Sequence, residues 1–362
     1  MTASAFVPPP VACERLRDIL PRFDGTHELL PQAGAGERYI GYPLPAHAST
    51  EMKEFLKPLM MLEPEPDFVA RLPGGRVFGP GAVLSPDGRS LARDISTDFG
   101  KPFDQHWLLT YAKMRPPVRV AGATAVVAVT LGEGYCHWLL EELPRLLALD
   151  GRDTGTVIAH TGALFIREAL ESGRFHKTRF LEATRYSHFE CDQLIIPGLV
   201  GRPGYPTPRV VRLLEEFSGP LHEPAGTWGE RLYITREKAG RRRVSNEAEL
   251  WRRLEGGGFT KLRLEELSWK DQINAFSHAK VIVAPHGAGL ANLVFCRPGV
   301  RVVECFNRSY VNPCFGRLAG LGGLDYRPLV SAGSEPLACD PQANRRDVCA
   351  DIAGIMDALI EM

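Results

Sequence analysis

The chain has 362 residues, too many for one compact core and suited to two domains. Its hydrophobic fraction of 44% is that of an ordinary globular enzyme. Lys plus Arg and Asp plus Glu both number 43, so no global field draws in nucleic acid or an anionic membrane, and neither is expected as the main partner.

The opening MTASAFVPPPVACERL lacks the basic and apolar regions of a targeting segment, so a cytoplasmic protein is expected. Apolar stretches such as Ala123–Leu131 are far short of a membrane span, which leaves peripheral docking as the expected form of any membrane contact. Eight cysteines are scattered without a C-x-x-C pair, and structural-zinc spacings are absent; core thiols in a reducing compartment are expected.

Residues 1 to about 120 are rich in Pro and Gly and carry little periodicity. Arg76–Ser96 reads as short strands, with turn chemistry at Ser85-Pro86-Asp87-Gly88. Ala121–Leu131 reads as a buried strand, Gly132-Glu133-Gly134 as a loop, and YCHWLLEELPRLLALD as a helix. Pro144 predicts a kink or break in it. Thr156–Ala159 and Gln193–Ile196 read as strands. Four prolines and three glycines within residues 197–208 mark a connector.

Beyond it, helices and strands alternate. A helix over Arg209–Phe217 precedes the strand RLYITR; a basic loop, Glu237–Arg243, leads to a helix capped by Asn246. A strand at Thr260–Arg263, a helix at Ser268–Ser277, the strand KVIVAP, the turn HGAG, the short helix LANLVF and the strand VRVVECF follow, then a terminal helix within Arg345–Ile360. This alternation predicts a parallel, doubly wound sheet. The expected division is an N-terminal domain over 1–205, a C-terminal domain over 206–330, and a tail over 331–362 that returns to the first domain.

Three groups of residues carry candidate chemistry. In KVIVAPHGAGLANLVF a strand runs through a glycine turn into a helix, whose free N–H groups and dipole favour a phosphate. His286 would add a hydrogen bond there, and Glu304, ending the next strand, stands where α/β proteins place an acid on ribose. A plain turn and a dinucleotide site are the competing readings; Asn292 in place of a third glycine disfavours the second, and with it a dehydrogenase. Arg236 ends a strand, and Arg241, Arg242 and Arg243 follow it. Arg236 and Arg243 are assigned to phosphate, Arg241 and Arg242 to solvent. Finally, His137 and Glu141 lie four apart on one helix face, a general-base arrangement or a surface pair, with Glu142 on another face. No Asp-x-Asp, Gly-x-Ser-x-Gly or His-Glu-x-x-His occurs.

YCHWLLEELPRL, RLYITREKAGRRRVSNEAEL and LEELSWKDQINAFSHAKVIVAPHGAGLANLVFCRPGVRVVE together resemble glycosyltransferase family 61, whose bacterial members are often labelled capsular polysaccharide biosynthesis proteins. The match is clear over about 131–148 and 230–306. The resemblance implies a GT-B architecture, two Rossmann-like domains facing an interdomain cleft, and an inverting, metal-independent transfer from a nucleotide sugar, a UDP-sugar by analogy, to a glycan, glycolipid or other hydroxyl acceptor without a cofactor. Carried over by position, Arg236, Arg243, the turn His286-Gly287-Ala288-Gly289 and Asn292 would hold the diphosphate. Glu304 would hold ribose, and Glu141 or His137 would be the base. Donor-pocket walls are expected from Tyr135 and Asn307–Phe315. The rival readings are a nucleotide-sugar epimerase of similar fold and a non-catalytic nucleotide-sugar-binding protein.

Overall fold

The computed structural model describes residues 6–30, 39–152, 154–172, 174–223 and 227–360. Contacts divide the chain into two compact units, here within their described residues: unit 1 comprises Met1–Glu37 and Pro64–Pro203, unit 2 Arg38–Glu63 and Gly204–Met362. The fold is mixed α/β, with a mixed sheet in unit 1 and a parallel sheet in unit 2. No described helix is long and apolar enough to cross a membrane.

Unit 1 is built on a ten-stranded sheet. The short strands Arg76–Phe78, Ala82–Leu84 and Ser90–Ala92 form an antiparallel meander. Its last turn closes by the Gly88 N–H on the Ser85 carbonyl at 2.8 Å, with Gly88 at φ 74°, a conformation glycine takes without steric cost. Four neighbouring strands of the sheet run parallel: His188–Pro197, Val118–Val126, Thr156–Ala159 and Arg179–Glu182, in that spatial order. Val77, Val126, Ile158, Leu194 and Ile196 belong to the apolar cluster that holds the sheet.

After Val126 the chain turns through a tight loop into a three-part helix. Tyr135–His137 is α-helical, Trp138–Glu142 is a π turn, and Leu143–Leu147 is α-helical again. Pro144 explains this form. In a continuous α-helix its ring would meet the Leu140 carbonyl, and it has no N–H to donate. The wider turn takes up an extra residue, and Pro144 falls in the first turn of the new segment, where no N–H is required.

Unit 2 carries five parallel strands in the spatial order Thr260–Leu262, Arg231–Ile234, Val281–Pro285, Arg301–Phe306, Asp325–Val330. The chain lays down Arg231–Ile234 first, adds Thr260–Leu262 on one side, then moves to the other side for the remaining three strands. The sheet therefore has a topological switch between Arg231–Ile234 and Val281–Pro285, where α/β proteins bind ligands at the carboxyl ends of the strands.

The described tail groups with unit 2. Its helix, Ile352–Ile360, buries Ile355 and Ala358 with Tyr233, Val283, Val303 and Cys305 on the unit 2 sheet. Asn246 explains part of this. Rather than capping the helix Glu247–Gly256, its side chain pairs with the Ala350 backbone, accepting at 2.8 Å and donating at 2.9 Å. A second departure is the stretch 38–63, expected in the first domain. Tyr42, Met52, Leu56 and Met60 cluster with Phe306 and Val311. Arg317 donates from Nη2 and Nε to the Leu59 carbonyl at 2.6 and 3.0 Å and lies 3.5 Å from the Tyr205 ring centroid. Local sequence gives no sign of either docking, because both depend on partners far along the chain.

Candidate functional site

Unit 2 gathers most of the residues singled out for phosphate at the switch point. Arg236 follows the strand Arg231–Ile234 and lies against Gly287, which follows Val281–Pro285. A Cβ on Gly287 would sit 2.3 Å from Arg236 Nη1, so the glycine makes room for the guanidinium. Arg236 Nη2 donates to the Arg241 carbonyl at 3.1 Å, Nε has no hydrogen-bond partner, and among the described residues no carboxylate pairs with it. Burial and the neighbouring guanidinium groups of Arg242 and Arg241 push it down to about 10, so it stays charged at neutral pH. Ala288 and Gly289, partly exposed, open the 3-10 helix Ala288–Phe295, and the Leu290 N–H closes its first turn on the Gly287 carbonyl at 2.9 Å. The N–H groups ahead of that bond have no acceptor within the helix. The cation thus lies against the glycine that immediately precedes these N–H groups.

The other residues assigned to this site do different work. Glu304 is fully buried, accepts from the Tyr326 hydroxyl, and pairs through Oε1 with His286 Nδ1 at 2.6 Å. Both oxygens are engaged inside the core, whereas the sequence assigned Glu304 to ribose. Burial and the Glu304 charge hold the Tyr326 hydroxyl well above its ordinary range, so it remains a donor. His286, 4% exposed, stacks on Phe306 and also packs on Tyr310 and Phe315, the last two being among the expected pocket-wall residues. Asn292 is fully buried and donates to Gln272 Oε1 and the Gly289 carbonyl, both at 3.0 Å. It ties the turn together rather than facing a ligand.

The arginine loop also reverses the expectation. Arg242, assigned to solvent, is buried and donates from Nε to the His286 carbonyl at 3.0 Å and from Nη1 to the Asn344 carbonyl at 2.8 Å. Its φ of 54° turns the backbone so that it, and not Arg243, points inward. Arg243 is more than half exposed and pairs with Asp347 through its backbone N–H at 2.9 Å and Nη2 at 3.1 Å. A cavity of 620 Å³ in this unit is lined by Glu230, His278, Lys280 and Arg297, at the amino ends of the strands. It includes none of the residues above.

Unit 1 brings His137 and Glu141 together, Nδ1 to Oε1 at 2.7 Å, across the π turn. His137 is 29% exposed and Glu141 5%. Burial pushes Glu141 above the usual carboxylate range, and the hydrogen bond from His137 offsets this only in part. Phe99 covers one side of the imidazole, ring centroids 5.0 Å apart, and Tyr135 packs instead on Phe165. Glu142 is buried, as a residue on a structural face would be, and pairs with His160 Nδ1 at 2.8 Å. His160 had one signal in the sequence: a histidine closing the apolar strand Thr156–Ala159. Arg145, also unremarked in the sequence, is fully buried and ties the Val127, Ala128 and Pro197 carbonyls together at 2.8 to 3.2 Å.

The sequence pattern of the family Glycosyltransferase 61 matches residues 135–303. That span contains every residue assigned to catalysis or the donor except Glu304. A 100-residue segment is 31% identical to Beta-1,2-xylosyltransferase RCN11 of Oryza sativa subsp. japonica, covering 25% of this chain and 19% of that protein. A 77-residue segment is 36% identical to a Beta-1,2-xylosyltransferase of Arabidopsis thaliana, covering 21% of this chain and 14% of the relative. The matched segments thus span less than a fifth of these relatives. Together these matches support the glycosyltransferase 61 family for the segment that carries both clusters.

Proposed function

We propose that this protein is an inverting, metal-independent glycosyltransferase of GT-B type that moves a sugar from a nucleotide-sugar donor to a hydroxyl of a glycan or glycolipid. The observation that carries the reading is Arg236: a charged guanidinium without a carboxylate partner among the described residues, seated on Gly287 at the switch point of a parallel sheet. A diphosphate supplies the missing counter-charge, and the free N–H groups at Ala288 and Gly289 complete the seat.

In this reading His137 and Glu141 act on the acceptor hydroxyl. His137, the more exposed member, removes the acceptor proton through Nε2, and buried Glu141 fixes the ring through Nδ1 and stabilises the imidazolium. The oxygen attacks the anomeric carbon in line, so configuration inverts. The bond to the nucleoside diphosphate breaks, and its charge is met by Arg236 and the helix start. A cytoplasmic setting, peripheral to a membrane where the acceptor is lipid-linked, belongs to this proposal, as does a UDP-sugar donor. A xylosyl donor heads the assay panel, because both relatives are xylosyltransferases by name.

The test is thermal stabilisation by nucleoside diphosphates and nucleotide sugars in EDTA, then transfer with the donor that binds. Arg236→Ala is expected to abolish the shift and cost about 10²-fold or more in kcat/KM. Normal turnover by Arg236→Ala overturns the assignment.

A further inference from the structure

Unit 1 holds two imidazole–carboxylate pairs joined through consecutive glutamates, and the proposed reaction uses only one. His137 pairs with Glu141; Glu142, the next residue, pairs with His160. Glu142 is 1% exposed and receives three contacts: the His160 N–H on Oε1 at 2.6 Å, and the Val129 N–H at 3.2 Å and His160 Nδ1 at 2.8 Å on Oε2. The carboxylate therefore locks the His137 helix to the carboxyl ends of two strands, Val118–Val126 and Thr156–Ala159.

The loop between them is built around this pair. A Cβ on Gly132 would lie 2.2 Å from Glu142 Oε2 and 2.5 Å from His160 Nδ1. The preceding Leu131 takes φ 67°, a left-handed conformation costly for a branched side chain, and its own side chain stays exposed. His160 is 4% exposed, yet its Nε2 has no hydrogen-bond partner. The nearest carboxylate to that nitrogen is Glu133 Oε2 at 3.6 Å, and a buried pair of this kind stabilises a fold no better than apolar side chains do. Folding alone gives little reason to keep it.

We propose that Glu142 and His160 are positioning residues that hold the His137–Glu141 pair in place and set its charge from behind. This rests on His137 as the base. The other charged or titratable groups around the four are Glu133 on the loop, with Oε2 3.6 Å from His160 Nε2, Glu182 on the neighbouring strand, and Arg145 and Cys136 on the helix. Glu182 accepts from the Thr161 N–H at 2.9 Å, and Arg145 binds backbone carbonyls. Glu142 is the charge bonded in sequence to Glu141. Burial opposes a charged His160 imidazole, but the hydrogen bond and charge of Glu142, together with the charges of Glu133 and Glu182, outweigh burial and hold it above its ordinary value.

The signs give a test. Glu142→Gln removes a negative charge behind the pair, so His137 releases its proton more readily and the acidic limb of kcat/KM moves to lower pH. His160→Gln removes the counter-charge of Glu142, so the limb moves to higher pH. Shifts of about half a pH unit or more in opposite directions are expected. Simple loosening would lower kcat in both variants without ordered shifts. Ring ¹⁵N NMR titration of His137 in the wild type and both variants reads the same coupling without turnover. An unmoved His137 midpoint in both variants overturns the proposal, active enzyme or not. Opposed midpoints with normal turnover by His137→Ala keep the coupling and overturn the base assignment instead. Should Glu142→Gln fail to fold, His160→Gln alone decides: its midpoint moves up, or the proposal is wrong.

Discussion

In unit 2 the acid is buried and satisfied while a cation is left open; in unit 1 the exposed group is an imidazole with an acid behind it. Glu304 is occupied by His286 and Tyr326, and Arg236 at the sheet edge has no acid partner among the described residues. Glu141 lies buried behind His137, whose ring reaches solvent. A charge that the fold pairs internally is already occupied, and one that it leaves partly unpaired at a strand end is available to a ligand. On that ground unit 2 suits an anion and unit 1 suits a proton in transit.

The largest expected effect would break the unit 1 half of this contrast. His137→Ala is expected to lower kcat by about 10²–10⁴-fold while leaving stabilisation by the nucleoside diphosphate unchanged, read by steady-state kinetics and thermal shift. Loss of both would move His137 out of acid–base work.

Glu304→Ala comes next and separates a core acid from a ribose ligand. It strands the Tyr326 hydroxyl and His286 Nδ1, for a loss of about 2–5 kcal/mol in urea unfolding. A raised donor KM with unchanged stability would restore the ribose role that burial argues against.

The smallest effect belongs to Arg243→Ala. Its partner Asp347 is a surface contact, so stability should change by about 1 kcal/mol or less, with turnover nearly unaffected. Arg242→Ala should instead raise the donor KM, because it frees the His286 carbonyl and loosens the glycine turn. Equal effects from the two arginines would show that the inward turn at Arg242 has no part in the site.

Much of unit 2 was legible because its strands and helices alternate with clear apolar periods. Arg231–Ile234, Val281–Pro285 and Arg301–Phe306 fall within the predicted strands, and Ser268 caps its helix by accepting the Asp271 N–H at 3.1 Å. In unit 1 the strand Thr156–Ala159 and the break at Pro144 were legible for the same local reasons, although periodicity could not specify a π turn. The stretch 38–63 was opaque, since its apolar residues are sorted only by contact with Phe306 and Val311.

The sequence by itself determined the parallel sheet, the glycine turn after His286, and the four-residue spacing that joins His137 to Glu141. These are local: strand period, glycine stereochemistry and helical rise act over a few residues. Tertiary structure decided that Glu304 and Asn292 face inward, that Arg242 rather than Arg243 turns to the His286 backbone, and that His160 stands behind Glu142. Each depends on which distant group satisfies a buried donor or acceptor, and that pairing exists only once the chain has closed on itself.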